Sequence, residues 1–253
     1  MPAVMRFAIR NVGSLGGNSM KLTRFALLSF VAFVLVACQT TSEVAQVRPD
    51  LRPGSTRIAL MPLELQLYQL TAGGVREPKA EWTRDAEVHV RRAINVIQSE
   101  KQLQLVTFDP TALPLERQKV MDQLVKLHGI VGGEIFLQTR IPQRRPPTKQ
   151  GKFDWSIGNE VRTVAEATGA RYGLFIFLED SYSSGGRVAL GIAMALLGVG
   201  IQGGAQVGYA SLVDLNTGQI AWFGTILNGS GDLRTEEAAE ASLRSLFSSL
   251  PNS

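Results

Sequence analysis

The stretch RYGLFIFLED, Arg171–Asp180, constrains the fold more than any other. It is rich in aromatic and branched residues, bounded by Gly169 and by Glu179-Asp180, and reads as a strand. A strand that is apolar on both faces belongs in the middle of a sheet whose faces are covered. The rest of the chain must therefore supply neighbouring strands and something to pack on them.

It does so in an alternating order. RIALMPLEL, Arg57–Leu65, reads as the first strand of a domain. A loop with Gly73, Gly74 and Pro78 follows. Glu81 to Gln98 places Trp82, Ala86, Val90, Ala93, Ile94 and Ile97 at helical spacing. LQLVTF, Leu103–Phe108, is a short strand that stops at Asp109-Pro110. Leu113 to His128 returns to helical spacing through Val120, Leu124 and Leu127, with Gly129 as its stop. Residues 129–139, GIVGGEIFLQT, read as a further strand. Asp154 to Thr168 is a helix with Ile157, Val161, Val164 and Ala165 on one stripe, ended by Gly169. Residues 205–215 and 219–227 flank Asn216-Thr217-Gly218, a hairpin signal that places glycine in a left-handed bulge. Thr235 caps a last helix, with Glu236 and Glu237 in its first turn and Ala239, Leu243, Leu246, Phe247 and Leu250 on its stripe. The expectation is a single α/β domain: a mixed β-sheet with packed helices, closing on a β-hairpin followed by a helix.

The start of the chain is built differently. From Met20, a better start than Met1, Lys21 and Arg24 precede Phe25–Val36, a 12-residue apolar run broken only by Ser29. A membrane span needs about 20 apolar residues, so this run fits a signal segment instead. It ends in Leu35-Val36-Ala37-Cys38. Cys38 is the only cysteine, so no internal disulfide can form. Residues 39–56, polar with two prolines, read as a tether. The expected division is a signal peptide over 1–37, a tether over 38–56 and a folded domain over 57–253.

Leu35-Val36-Ala37-Cys38 resembles the lipobox of bacterial lipoproteins. The resemblance implies cleavage before Cys38, a diacylglycerol and an N-acyl chain such as palmitate on Cys38, and a domain in the periplasm. Gln39, where an aspartate would retain an enterobacterial lipoprotein, implies sorting to the outer membrane. The strand RIALMPLE, then AEATGARYGLFIFLEDS, then GYASLVDLNTGQIAWFGTI with its closing helix resemble a group of envelope proteins. It comprises the curli-secretion channel lipoprotein, the lipoprotein activators of penicillin-binding proteins and the TolB amino-terminal-like domains. The resemblance spans roughly residues 57–250 and implies binding or assembly in the cell envelope. The chain departs from the group's pattern at 188–204, so neither the pore nor the activating role carries over residue by residue.

Charge excludes one class of function. The whole chain carries +4, but residues 1–37 hold Arg6, Arg10, Lys21 and Arg24 and no acid. The remainder has 22 basic and 22 acidic residues, so no positive field for nucleic acid remains. No constellation points to catalysis either, and the expectation is no enzyme, no metal and no cofactor beyond the acyl chains. His89 and His128 sit on or beside apolar stripes, as core histidines do. Glu179 and Asp180 are adjacent on a strand, point to opposite faces and read as a solvated strand end. Glu64 and Asp214 find no partner group in the sequence.

Two segments remain. Arg140, Arg144, Arg145, Lys149 and Lys152 form an acid-free basic loop, either simply solvated or a contact for anionic headgroups or an acidic partner. The interval Val188–Val213 has no charge at all. Gly198-Val199-Gly200-Ile201-Gln202-Gly203 spells G-x-G-x-x-G, but no strand precedes it and no acid lies some 20 residues beyond, so it is not a nucleotide loop. Val188, Ile192, Leu196, Leu197, Val199 and Ile201 are then core, a contact for an envelope protein or a second copy, or a membrane insertion. The last underlies an alternative function, a subunit of an oligomeric export channel with 188–213 inserted as a hairpin.

Overall fold

The structure, a computed structural model, describes residues 38–44, 49–51, 55–149, 151–229 and 231–251. The signal segment 1–37 and part of the tether lie outside the described residues. Eight strands form one mixed sheet: β1 (Cys38–Val44), β2 (Arg57–Leu60), β3 (Glu64–Leu70), β4 (Arg76–Pro78), β5 (Gln104–Thr107), β6 (Tyr172–Ser183), β7 (Gln206–Asp214) and β8 (Ile220–Asn228). The helices are α1 (Ala80–Glu100), α2 (Leu115–Arg140), α3 (Arg162–Thr168), α4 (Gly185–Leu196) and α5 (Glu236–Leu246).

The sheet runs β1-β8-β7-β6-β2-β5, with β3 also on β6 and β4 on β3. β6 is central, as its sequence requires. It pairs antiparallel with β7 along one side and parallel with β2 and then β3 along the other. Its alternation fills two cores. Leu174, Ile176 and Leu178 join α1 and α5 on one face, and Phe175 joins α2 and α3 on the opposite face. The domain is thus a three-layer α/β/α arrangement, with the hairpin β7–β8 followed by α5.

Several local expectations change. The strand expected over Arg57–Leu65 is two strands, because Pro62 between them has no N–H to give the ladder. The helix expected over Asp154–Thr168 is only α3, preceded by a 3-10 turn at Asn159–Val161. Thr235 stands at the N-cap of α5, but its hydroxyl donates to the Asp232 carbonyl rather than accepting from the helix. Cys38–Val44, expected as tether, is β1, antiparallel to β8 with Cys38 opposite Asn228.

The largest correction is α2. Residues 129–139 are no strand, and the helix passes through Gly129, Gly132 and Gly133 without stopping. A Cβ at Gly132 would lie 2.3 Å from the Tyr209 ring. Gly132 lets the helix lie close on the sheet, so it marks proximity and not termination. The buried stripe shifts accordingly to Met121, Leu124, His128 and Ile135, leaving Leu127 exposed.

Candidate functional site

Three places bring polar or unpartnered groups together. The first lies under α2. His128 is fully buried, with Nε2 2.8 Å from Ser211 Oγ and Nδ1 3.7 Å from Glu64 Oε1. Its ring stacks on Phe175 at 4.8 Å. Burial holds the imidazole below its ordinary value, against the pull of Glu64, so it is neutral at pH 7. Carboxylate, imidazole and hydroxyl stand in the order of a hydrolytic triad. The order in depth is inverted for catalysis, because Ser211 is sealed between helix and sheet while Glu64 faces an open pocket with Met61 and Lys126. The arrangement ties α2 to the sheet. Ser211 is invisible in sequence, one serine inside an apolar strand far from its partners.

The second place is the end of β6. Asp180, expected at a solvated strand end, is buried. Its Oδ2 accepts from the Tyr182 hydroxyl (2.6 Å), Gln206 Nε2 (3.2 Å) and the Leu233 amide (3.2 Å). Burial raises its carboxyl to about 6 despite those donors. Gln206 Oε1 in turn accepts from Ser242 of α5 at 2.9 Å. Glu179 points the other way and pairs with Arg76 at 2.5 Å. His89 is half-buried on α1 and lies in neither cluster. Asp214 faces Arg171 at 3.7 Å beside the hairpin.

The third place rises from that same strand end. Between Asp180 and Gln206, register partners in the sheet, the chain leaves as α4 and returns. Ser184 Oγ accepts from the Arg187 amide and starts the helix. Ser181 closes the base: its amide and hydroxyl donate to the Ala205 carbonyl, and its Oγ accepts from the Ala205 amide. Gly204 fits there because a Cβ would fall 1.8 Å from the Ser181 carbonyl oxygen. Arg187 donates to the Gln202 carbonyl, drawing the returning chain against the helix start.

The contact candidates lie on this excursion. α4 has no buried residue. Leu196 is 84% exposed, Leu197 76%, Ile192 63%, Val188 51% and Val199 45%, with Ile201 half-covered. The core reading of 188–204 is therefore overturned. So is the membrane hairpin over 188–213, since residues 206–213 are β7 inside the sheet. The G-x-G-x-x-G stretch is the exposed return and not a turn between strand and helix.

Of the basic loop, Arg145, Lys149 and Lys152 line one small pocket with Phe153 and Trp155. Arg140 ends α2 and reaches Thr225 at 3.3 Å, over the Phe136 ring. Lys149 binds the Asp154 carboxylate at 2.6 Å and lies over Trp155. Arg144 and Lys152 are exposed, and Arg145 is half-buried. Among the described residues no group of acids, histidines and cysteines is arranged to hold a metal ion. Cys38 occupies the first position of β1.

The fold and its surface define a layered α/β domain with an uncovered apolar helix at one end of the sheet. No protein-family model matches the chain, and no curated protein is detectably similar to it. Among solved structures it is similar to the PelC dodecamer from Paraburkholderia phytofirmans, at 10% identity and TM-score 0.40 over 84% of this chain and 96% of that one. It is similar also to a substituted PelC dodecamer from the same organism, at 12% identity and TM-score 0.40 over 83% and 96%. Likeness at this level assigns neither family nor activity to the chain.

Proposed function

We propose that this chain is a lipoprotein of the bacterial outer membrane, anchored through acyl chains on Cys38, whose periplasmic domain works by binding and assembly rather than by catalysis. One observation carries the reading. The apolar signal run ends at the residue that begins the folded domain, since Cys38 is both the lipobox cysteine and the first residue of β1. Two or more acyl chains, at about 0.8 kcal/mol per buried methylene, hold a protein far more firmly than one. The non-catalytic reading is supported by the sealed position of Ser211, which leaves the hydroxyl out of a substrate's reach. The partner is an envelope protein or a second copy of the chain, with no nucleic acid and no nucleotide.

The test has two parts. Intact mass of the chain from membranes should show cleavage before Cys38 and an acyl mass on it, and Cys38→Ala should release the chain to the soluble fraction. Crosslinking in intact cells should then recover one partner or a multimer. An unmodified, soluble chain sinks the anchoring, and turnover that is lost in Ser211→Ala sinks the non-catalytic reading.

A further inference from the structure

A helix that is apolar all round is buried in something. Beyond Arg187, α4 is apolar on every side, and among the described residues none of its own chain buries it. What covers it follows from the register. Cys38 pairs with Asn228, Asn228 with Gln206, and Gln206 with Asp180, so these four residues stand at one end of the sheet. β6 runs out of that end into α4, and β7 re-enters there. Cys38 and Asp180 are three strand spacings apart, about 14 Å, and α4 begins five residues beyond Asp180. Acyl chains on Cys38 would place this end of the sheet at the bilayer surface.

We propose that α4 inserts into the lipid leaflet that receives the Cys38 acyl chains, as a second, non-covalent attachment. This rests on the lipid anchoring proposed above. Length agrees: twelve helical residues rise about 18 Å, roughly half the bilayer hydrocarbon and too little to cross it. None of the described helices is long and apolar enough to cross a membrane. Polarity also agrees. Arg187, the last charge before Asp214, lies in the first turn, held to the Gln202 carbonyl at the domain side, while Leu196 and Leu197 lie at the far end. Val75, 63% exposed, sits on the adjoining β3–β4 turn, whose Ala72 carbonyl accepts from Arg187. Two attachment points at one end of a rigid sheet fix the domain's orientation, which one acyl anchor alone does not.

The experiment uses an environment-sensitive fluorophore on Leu196→Cys in the acylated full chain, where Cys38 offers no free thiol. The control carries it on Thr217→Cys, in the exposed hairpin turn at the opposite end of the sheet. Both are reconstituted into phosphatidylethanolamine–phosphatidylglycerol vesicles doped with acyl-chain nitroxide lipid. The expected result is blue-shifted, nitroxide-quenched emission at 196 and water-like emission at 217. Water-like emission at 196, or equal quenching at both positions, overturns the proposal. So does a blue shift at 196 that follows protein concentration and ignores the nitroxide, which identifies a second copy as the cover. If mass shows no acyl group on Cys38, the anchoring reading has failed by itself. The Cys38→Ser chain carrying the 196 label then decides: quenching on added vesicles supports insertion, and its absence overturns it.

Discussion

Gln206 Nε2 donates to Asp180 Oδ2 at 3.2 Å, joining the first residue of β7 to its partner in the last rung of the β6–β7 ladder, three residues before β6 ends. The bond closes the neck of an otherwise uncovered excursion. Through Ser242 and Leu233 it also reaches α5 and the segment before it. The protein places its buried carboxylate at the base of the exposed apolar excursion.

That carboxylate makes stability depend on pH. Burial raises Asp180 from 3.8 to about 6, so the folded state binds its proton more tightly than the unfolded state does. The contribution is fully present below the unfolded value and is lost as pH rises through the folded one. The difference is at most about 3 kcal/mol between pH 4 and pH 7. Asp180→Asn, neutral throughout, should remove this slope. Urea unfolding of both chains at pH 4.5 and 7.5 tests it: the stability of the wild type relative to the Asn variant should fall on going to the higher pH.

Gly132 and Gly133 should respond oppositely to alanine. Gly132→Ala sets a Cβ 2.3 Å from Tyr209, whose ring is stacked between Phe177 and Phe223 and cannot simply move aside. A loss of about 1–3 kcal/mol is expected, as for overpacking elsewhere. At Gly133 the nearest atom is the Tyr209 hydroxyl at 4.0 Å, so the helical preference for alanine should stabilise by about 0.5–1 kcal/mol. Thermal melts of the two variants decide the matter.

Ser211→Ala should destabilise by about 1–3 kcal/mol, since it leaves a ring nitrogen of buried His128 unpaired. Replacing His128 with leucine in the Ser211→Ala background should recover part of that loss, because both polar partners are then gone. A double-mutant cycle measured by urea unfolding should show the coupling.

Leu196→Asn with Leu197→Asn should leave the folded domain as stable as before, within about 0.5 kcal/mol, because both side chains are mostly in water when the chain stands alone. A large drop in melting temperature would mean the two leucines pack in the core.

Periodicity made the central strand, α1, α5 and the hairpin legible. Gly218, with φ +74°, occupies the bulge position that its sequence announces. Residues whose role is tertiary were not legible. A glycine that ends a helix and one that admits Tyr209 look alike along the chain, so the sequence predicts a helix ending at His128 and a strand over 129–139 where α2 in fact continues. The apolar character of 188–201 is the same whether the segment is buried or bare, and only the neighbours decide. Asp180 is a strand-end acid in sequence, but the Gln206 amide and the Leu233 N–H that draw it inward lie 26 and 53 residues away.

β1 covers the outer side of β8, whose residues Ile220–Ile226 are all buried. A chain trimmed to begin at Arg57 would lose that cover and present a row of unpaired amides along an apolar ribbon. Such a ribbon is a template for strand addition between molecules. Multimers formed by so shortened a chain would report on the cut. The state of assembly is to be read from protein that keeps its residues from Cys38 onward.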